Sequence, residues 1–132
     1  MKIYVDATNI PVGRLGSYVA KNALNGNEVI VLNSEKAIIS GNKKDILEKI
    51  LNWRSKGGSS LKGPIVPKSP ERLLKRMIRG MLPWDKKRGK EAYKRIKCFK
   101  SGELKVEEKE ITKLKVNLPL KFVELKEICK LI

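Results

Sequence analysis

The stretch KIYVDATNIPVGRLGSYVAKNALNGNEVIVLN, Lys2–Asn33, decides the fold. Lys2–Asp6 is a short β-branched and aromatic run, the composition of a strand. Asn9 and Pro11 announce a helix, with Asn9 as its N-cap. Val12, Leu15, Val19 and Ala23 then recur at helical spacing, and Gly26 is a good terminator. Val29–Asn33 is continuously apolar up to its last residue and reads as a buried strand. Strand, helix, strand within some thirty residues is a βαβ unit, expected to be parallel with a right-handed crossover.

Outward from that unit, a turn at 33–36 leads to a further short strand, AIIS, ending at Gly41. Asn42 caps a helix in which Ile46, Leu47, Ile50, Leu51 and Trp53 form an apolar stripe. Residues 55–70, rich in Gly, Ser and Pro and without an acid, read as a long loop. Pro70 opens a helix with Leu73, Leu74, Met77 and Ile78 inward, ended by Gly80. A short helix over KRGKEAYKRIK and a strand at Lys97–Lys100 follow. Asn117 and Pro119 open a terminal helix with Phe122, Leu125, Cys129 and Ile132 on one face. The expected class is α/β, one domain over residues 1–132, around a small, mainly parallel sheet of about four strands. A chain of 132 residues is long enough for one real core.

Charge is distributed unevenly. The net charge is +16, and residues 34–100 account for +14 of it, with twenty Lys or Arg against six Asp or Glu. From Lys49 to Trp84 the only acid is Glu71. Such asymmetry is the footprint of a polyanion partner. At helical spacing Arg72, Lys75, Arg76 and Arg79 cover the face of their helix opposite the apolar one. Arginine forks match phosphate oxygens, and lysines act as point charges beside them. The apolar turn GMLPW, Gly80–Trp84, then separates Arg79 from Lys86, Lys87 and Arg88. Met81, Leu82 and Pro83 are expected to anchor it in the core, with Gly80 allowing close backbone approach. Trp84 either fills a core pocket or stacks on an unpaired base.

Catalysis has little to stand on. There is no histidine, which removes the commonest general base and metal ligand. VGRLGS carries only Gly13 and Gly16 and lacks the dinucleotide fingerprint; close helix–sheet packing explains those glycines better. SGNKKDI lacks the spacing of a phosphate loop. Asp6 ends a strand, where α/β enzymes place catalytic groups, but it is also a good turn residue. The two cysteines, Cys98 and Cys129, make no disulfide framework and read as small buried apolar residues. With no apolar stretch of signal-peptide or membrane-span length, the expectation is an intracellular, reducing compartment. No cofactor and no metal are expected. The alternatives to a nucleic-acid-binding structural protein are a free regulatory RNA binder and a small nucleotide-dependent enzyme using Gly13, Arg14 and Lys43.

Several segments, in order, resemble the ribosomal protein L13 family of the large subunit. These are DAT followed by GRL within Asp6–Leu15, then VIVLNSEKAIISGNK, and most specifically SPERLLKRMIRGMLPWDKKRGKEAYKRIKCF, Ser69–Phe99. LKGPIVPKSP and KFVELKEICKLI are similar to the archaeal and eukaryotic branch. The resemblance implies a three-layer α/β/α domain without enzymatic activity. It also implies a cytoplasmic ribosomal component that contacts large-subunit rRNA and neighbouring ribosomal proteins and takes part in early assembly. The contacts it implies fall on Lys56, Lys62, Lys68, Arg72, Arg76, Arg79, Lys86, Lys87, Arg88, Lys94 and Arg95.

Overall fold

The structure is a computed structural model and describes residues 2–55, 69–101, 111–114 and 118–131. The leading βαβ unit forms as expected, as β1 (Lys2–Asp6), α1 (Val12–Leu24) and β2 (Glu28–Leu32). β1 and β2 pair in parallel from Lys2 against Glu28 to Asp6 against Leu32. β4 (Ile96–Cys98) adds in parallel to the far side of β2, and β5 (Ile111–Lys113) in parallel to the free side of β1. The sheet order is β4-β2-β1-β5. Val29 and Val31 of β2 are fully buried in the same core as α1, while Ile30 and Leu32, pointing the other way, are only 7% and 6% exposed. A strand buried on both faces belongs in the middle of a layered α/β fold; the α/β class read from the residues and the three layers implied by the resemblance are what is observed.

The main core joins the two halves of the chain. Leu15, Val19 and Ala23 of α1 meet Leu73, Leu74 and Ile78 of α3 (Pro70–Arg79) and Ala92 of α4 (Lys87–Lys94). A smaller cluster sets Ile46 and Ile50 of α2 (Lys43–Ser55) against Val123 and Ile128.

Five local expectations are corrected. Asn9 does not cap α1; Pro11 occupies that position, and Asn9 sits in the left-handed region at φ 58°, where its N–H donates to Lys36 O at 3.1 Å. Asparagine tolerates that region better than most residues, so it serves the turn before the helix rather than the cap. AIIS is a strand, β3 (Ile38–Ser40), but lies outside the main sheet. It pairs antiparallel with β6 (Phe122–Glu124), which the sequence reading absorbed into the terminal helix. That helix, α5, begins only at Leu125 and ends at Leu131, so Phe122 stays 41% exposed while Val123 turns inward. Finally, β5 went unread. Both missed strands have three residues and exist only through partners far away in sequence.

The glycine expectations also change. A Cβ on Gly13 would meet nothing within 4 Å, so no packing requires it. A Cβ on Gly16 would lie 2.5 Å from Met81 Sδ, which places the close contact between α1 and the GMLPW turn rather than between helix and sheet. Gly80 has ordinary helical angles, φ −65° and ψ −16°, and a Cβ there would find only Met77 O, at 3.5 Å. The true close approach is at Gly89, where a Cβ would overlap the carbonyl of Pro83. The two tight contacts differ in kind. A methionine thioether moves aside, whereas a peptide carbonyl moves only with its backbone. Gly89→Ala is therefore expected to lower stability by about 1–3 kcal/mol, the scale of overpacking in a filled core. Gly16→Ala, which gains helix propensity of about 0.5–1 kcal/mol, should stay near neutral. Paired urea titrations of the two variants check this ordering.

Candidate nucleic-acid interface

α3 begins after an extended Ser69, with Pro70 in its first turn, where the missing N–H has no intrahelical partner to lose. Its inward face, Leu73, Leu74 and Ile78, is fully buried. The opposite face presents Arg72 exposed and Lys75, Arg76 and Arg79 half-buried. Glu71, the one acid on this helix, has its carboxylate 3.7 Å from Lys100 Nζ.

The half-buried cations are held by rings. Arg79 lies over Trp84 at 4.0 Å from the ring centroid, Arg76 over Trp53 at 5.4 Å, and Lys75 Nζ over Tyr93 at 4.6 Å. Trp84 and Tyr93 meet edge-to-face, with centroids 5.1 Å apart and planes at 88°. Burial raises the Tyr93 hydroxyl above its ordinary range, against the opposing pull of the Arg79 charge. Each cation–ring contact contributes about 0.5–1 kcal/mol at a partly exposed site. Arg76 and Arg79 also occupy the last turn of α3, where the helix dipole favours positive charge.

The turn that follows is built from short-range bonds. Met81 N–H donates to Ile78 O at 2.9 Å, Trp84 N–H to Leu82 O at 2.8 Å and Lys86 N–H to Pro83 O at 3.0 Å. Leu82, 6% exposed, is the anchor of the turn; Met81 is 40% exposed and touches the body of the protein at Gly16. Trp84 is half-buried among Arg79 and Tyr93.

Beyond the turn, Lys86, Lys87 and Arg88 are exposed at the start of α4, whose first turn has no acid and whose N-cap makes no side-chain bond. Positive charge at a helix N-terminus opposes the dipole, and a helix N-terminus is a place where an anion is favoured. Lys94 is exposed at the other end of α4. Arg95 is drawn away: its Nη1 donates to Ala23 O at 2.9 Å, satisfying a carbonyl at the C-terminal end of α1. Lys56, Lys62 and Lys68 lie outside the described residues. The structure thus gathers Arg76, Arg79 and Lys75 around Trp53, Trp84 and Tyr93, with Arg72 beside them and Lys86–Arg88 across the turn. Lys75 was placed on the basic face but not in the expected contact set, and Trp53 and Tyr93 were in neither. The four-residue spacing of Lys75 and Arg79 on one helix face was the available signal; which rings they meet was not readable.

The sequence that builds this surface matches a known family. The sequence model for ribosomal protein L13 matches residues 1–105. The chain belongs to the ribosomal protein L13 family. It is 39% identical to the large ribosomal subunit protein uL13 of Archaeoglobus fulgidus, over 96% of this chain and 84% of that protein. It is 41% identical to the uL13 of Picrophilus torridus over 98% and 96%, and 49% identical to that of Methanococcus maripaludis over 72% of each. Membership makes it a structural ribosomal component, at work in the cytoplasm.

Asp6, at the end of β1, is engaged in side-chain hydrogen bonds. Asp6 Oδ1 accepts from Thr8 N–H at 3.0 Å, Thr8 Oγ1 at 2.7 Å and Asn33 Nδ2 at 2.9 Å. Burial alone raises its carboxyl, but the bonds from Asn33 and Thr8 and the charge of Lys113 outweigh it and hold the pKa below the ordinary carboxylate range. Cys98 and Cys129 are free; burial pushes their thiols up to about 12 and about 11, so neither is a thiolate near neutrality. Because the folded pKa of Asp6 is depressed, its contribution is complete above the unfolded value and is lost as pH falls through the folded one. Wild type should therefore exceed Asp6→Asn at pH 7 by about 1 kcal/mol, the low end for charge-assisted bonds at a part-exposed site. Thermal melts of both proteins from pH 7 to pH 2 should show that difference vanish.

Proposed function

We propose that the chain is an rRNA-binding structural protein of the large ribosomal subunit that supports early subunit assembly, with neighbouring large-subunit proteins as further partners. One observation carries the reading: α3 buries one face completely and holds a row of cations on the other, fixed over aromatic rings. Charges already in position bind a polyanion without a large ordering cost. Arg72, Lys86, Lys87, Arg88 and Lys94 supply exposed charge around that row, and Arg76 and Arg79 supply fixed charge within it. Lys56, Lys62, Lys68 and Arg95 complete the proposed contact set; Arg95 then also braces α1. The relatives described above are large-subunit proteins, which supports the same reading. Affinity comes mainly from phosphates and recognition from RNA shape.

Hydroxyl-radical footprinting on large-subunit rRNA, with excess unrelated RNA as competitor, tests the proposal. A discrete protected site that survives competition is the expected result; diffuse protection erased by competitor would sink it. Arg72, Lys87 and Arg88 make no ion pair or ring contact among the described residues. Reversing all three to Glu should leave far-UV helicity and melting unchanged. The same variant should make the slope of log affinity against log salt shallower by about three, one for each lost phosphate contact.

A further inference from the structure

The way Arg79 is held says more about its ligand than its charge does. The Arg79 guanidinium lies over the Trp84 ring, its central carbon 4.0 Å from the ring centroid. Trp84 is fixed edge-to-face by Tyr93, and Tyr93 in turn lies beneath Lys75. Among the described residues, no hydrogen bond or ion pair takes up the Arg79 N–H groups. The side chain is only half-buried and seated on a ring, so it keeps surface and unpaired donors for a ligand. A contact to phosphate alone does not require such a seat, because exposed Arg72, Lys87 and Arg88 supply that charge without a ring. A guanidinium plane fixed in space is a surface on which a nucleobase stacks, and bases with a free face occur in loops, bulges and ends rather than within a duplex.

We propose that Arg79, stacked on Trp84, is the binding site of one unpaired nucleotide. Its base lies on the outer face of the guanidinium, and the in-plane N–H groups reach its phosphate. This rests on the rRNA reading above and narrows it: the bound RNA carries an unstacked base where α3 meets the turn.

The test uses the full chain and the rRNA fragment defined by the footprint. Each unpaired nucleotide of the fragment is replaced in turn by an abasic one, which removes the base and keeps the phosphate. Affinity is measured for wild type and for Arg79→Lys, which keeps the charge and loses the plane. Thermal melting confirms that the variant is folded, and binding at several salt concentrations confirms that its charge still counts.

One abasic position is expected to weaken wild-type binding about tenfold or more, the lower range of one base stack. Arg79→Lys should weaken binding to the intact fragment by a similar factor and be indifferent to that same abasic position. If wild type tolerates every abasic replacement, or if the losses are the same in Arg79→Lys, the stack is only an internal clasp and the inference is wrong. A protected fragment without any unpaired nucleotide overturns it equally. The absence of any protected fragment would remove the rRNA reading itself, a result that cannot be mistaken for the others.

Discussion

Where α4 begins, the bare α-carbon of Gly89 lies against the carbonyl of Pro83, and the basic surface is organised around that contact. It lets α4 approach the turn closely enough for Tyr93 to reach the edge of Trp84. Trp84 held there is what Arg79 stacks on, and Tyr93 held there is what Lys75 covers. Leu82, driven into the core between the two helices, fixes the turn from beneath. The apolar GMLPW turn inside a lysine- and arginine-rich segment is therefore a bracket. Three of its parts, Leu82, Pro83 and Trp84, point the charges on either side of it.

A bracket of this kind answers the electrostatic difficulty raised by the sequence. A net of +14 within residues 34–100 repels itself, and few acids stand near to offset it. On α3 the problem is met with ring faces rather than carboxylates. A cation over an aromatic ring is stabilised without being neutralised, so it keeps its charge for an outside partner. A carboxylate in the same place would have taken up the guanidinium edge as well. The cost is accepted openly at α4, where Lys87 and Arg88 stand at the unfavourable end of a helix dipole with no acid in the first turn. Local rules broken without local compensation are the mark of a surface shaped for something else.

The legibility of these features followed the range of the interactions behind them. β1, α1 and β2 are written in periodicity, and α3 in a two-faced pattern, because neighbours in sequence settle them. β5 and β6 were lost because three residues carry no periodicity and their partners lie far along the chain. Phe122 was assigned to the terminal helix since its spacing from Leu125 and Cys129 is helical; antiparallel pairing with Ser40 overrides that pattern. Charge was visible at the interface, but its seating was not. Nothing in composition separates Arg95, which holds the end of α1, from Arg88, which stands exposed. Glycine roles were misread for the same reason: what Gly16 and Gly89 admit is a neighbour brought in by tertiary packing.

The C-terminal end of the parallel sheet, where this class of fold commonly places its chemistry, is given over to structure. Asp6 at the end of β1 accepts from Asn33 just beyond β2, and Asn33 Oδ1 accepts from Ser101 Oγ at 2.8 Å, beyond β4. Glu35 accepts the Ser101 N–H through both carboxylate oxygens, at 3.1 and 3.2 Å. Three strand ends are thereby joined through side chains that a catalytic site would need to keep available. With that rim occupied, the long cationic side chains stand on the helical layer, on α3 and α4. Fold class alone does not assign function; here the side-chain hydrogen bonds occupy the sheet end, and the ring-seated arginines place charge on the helical layer instead.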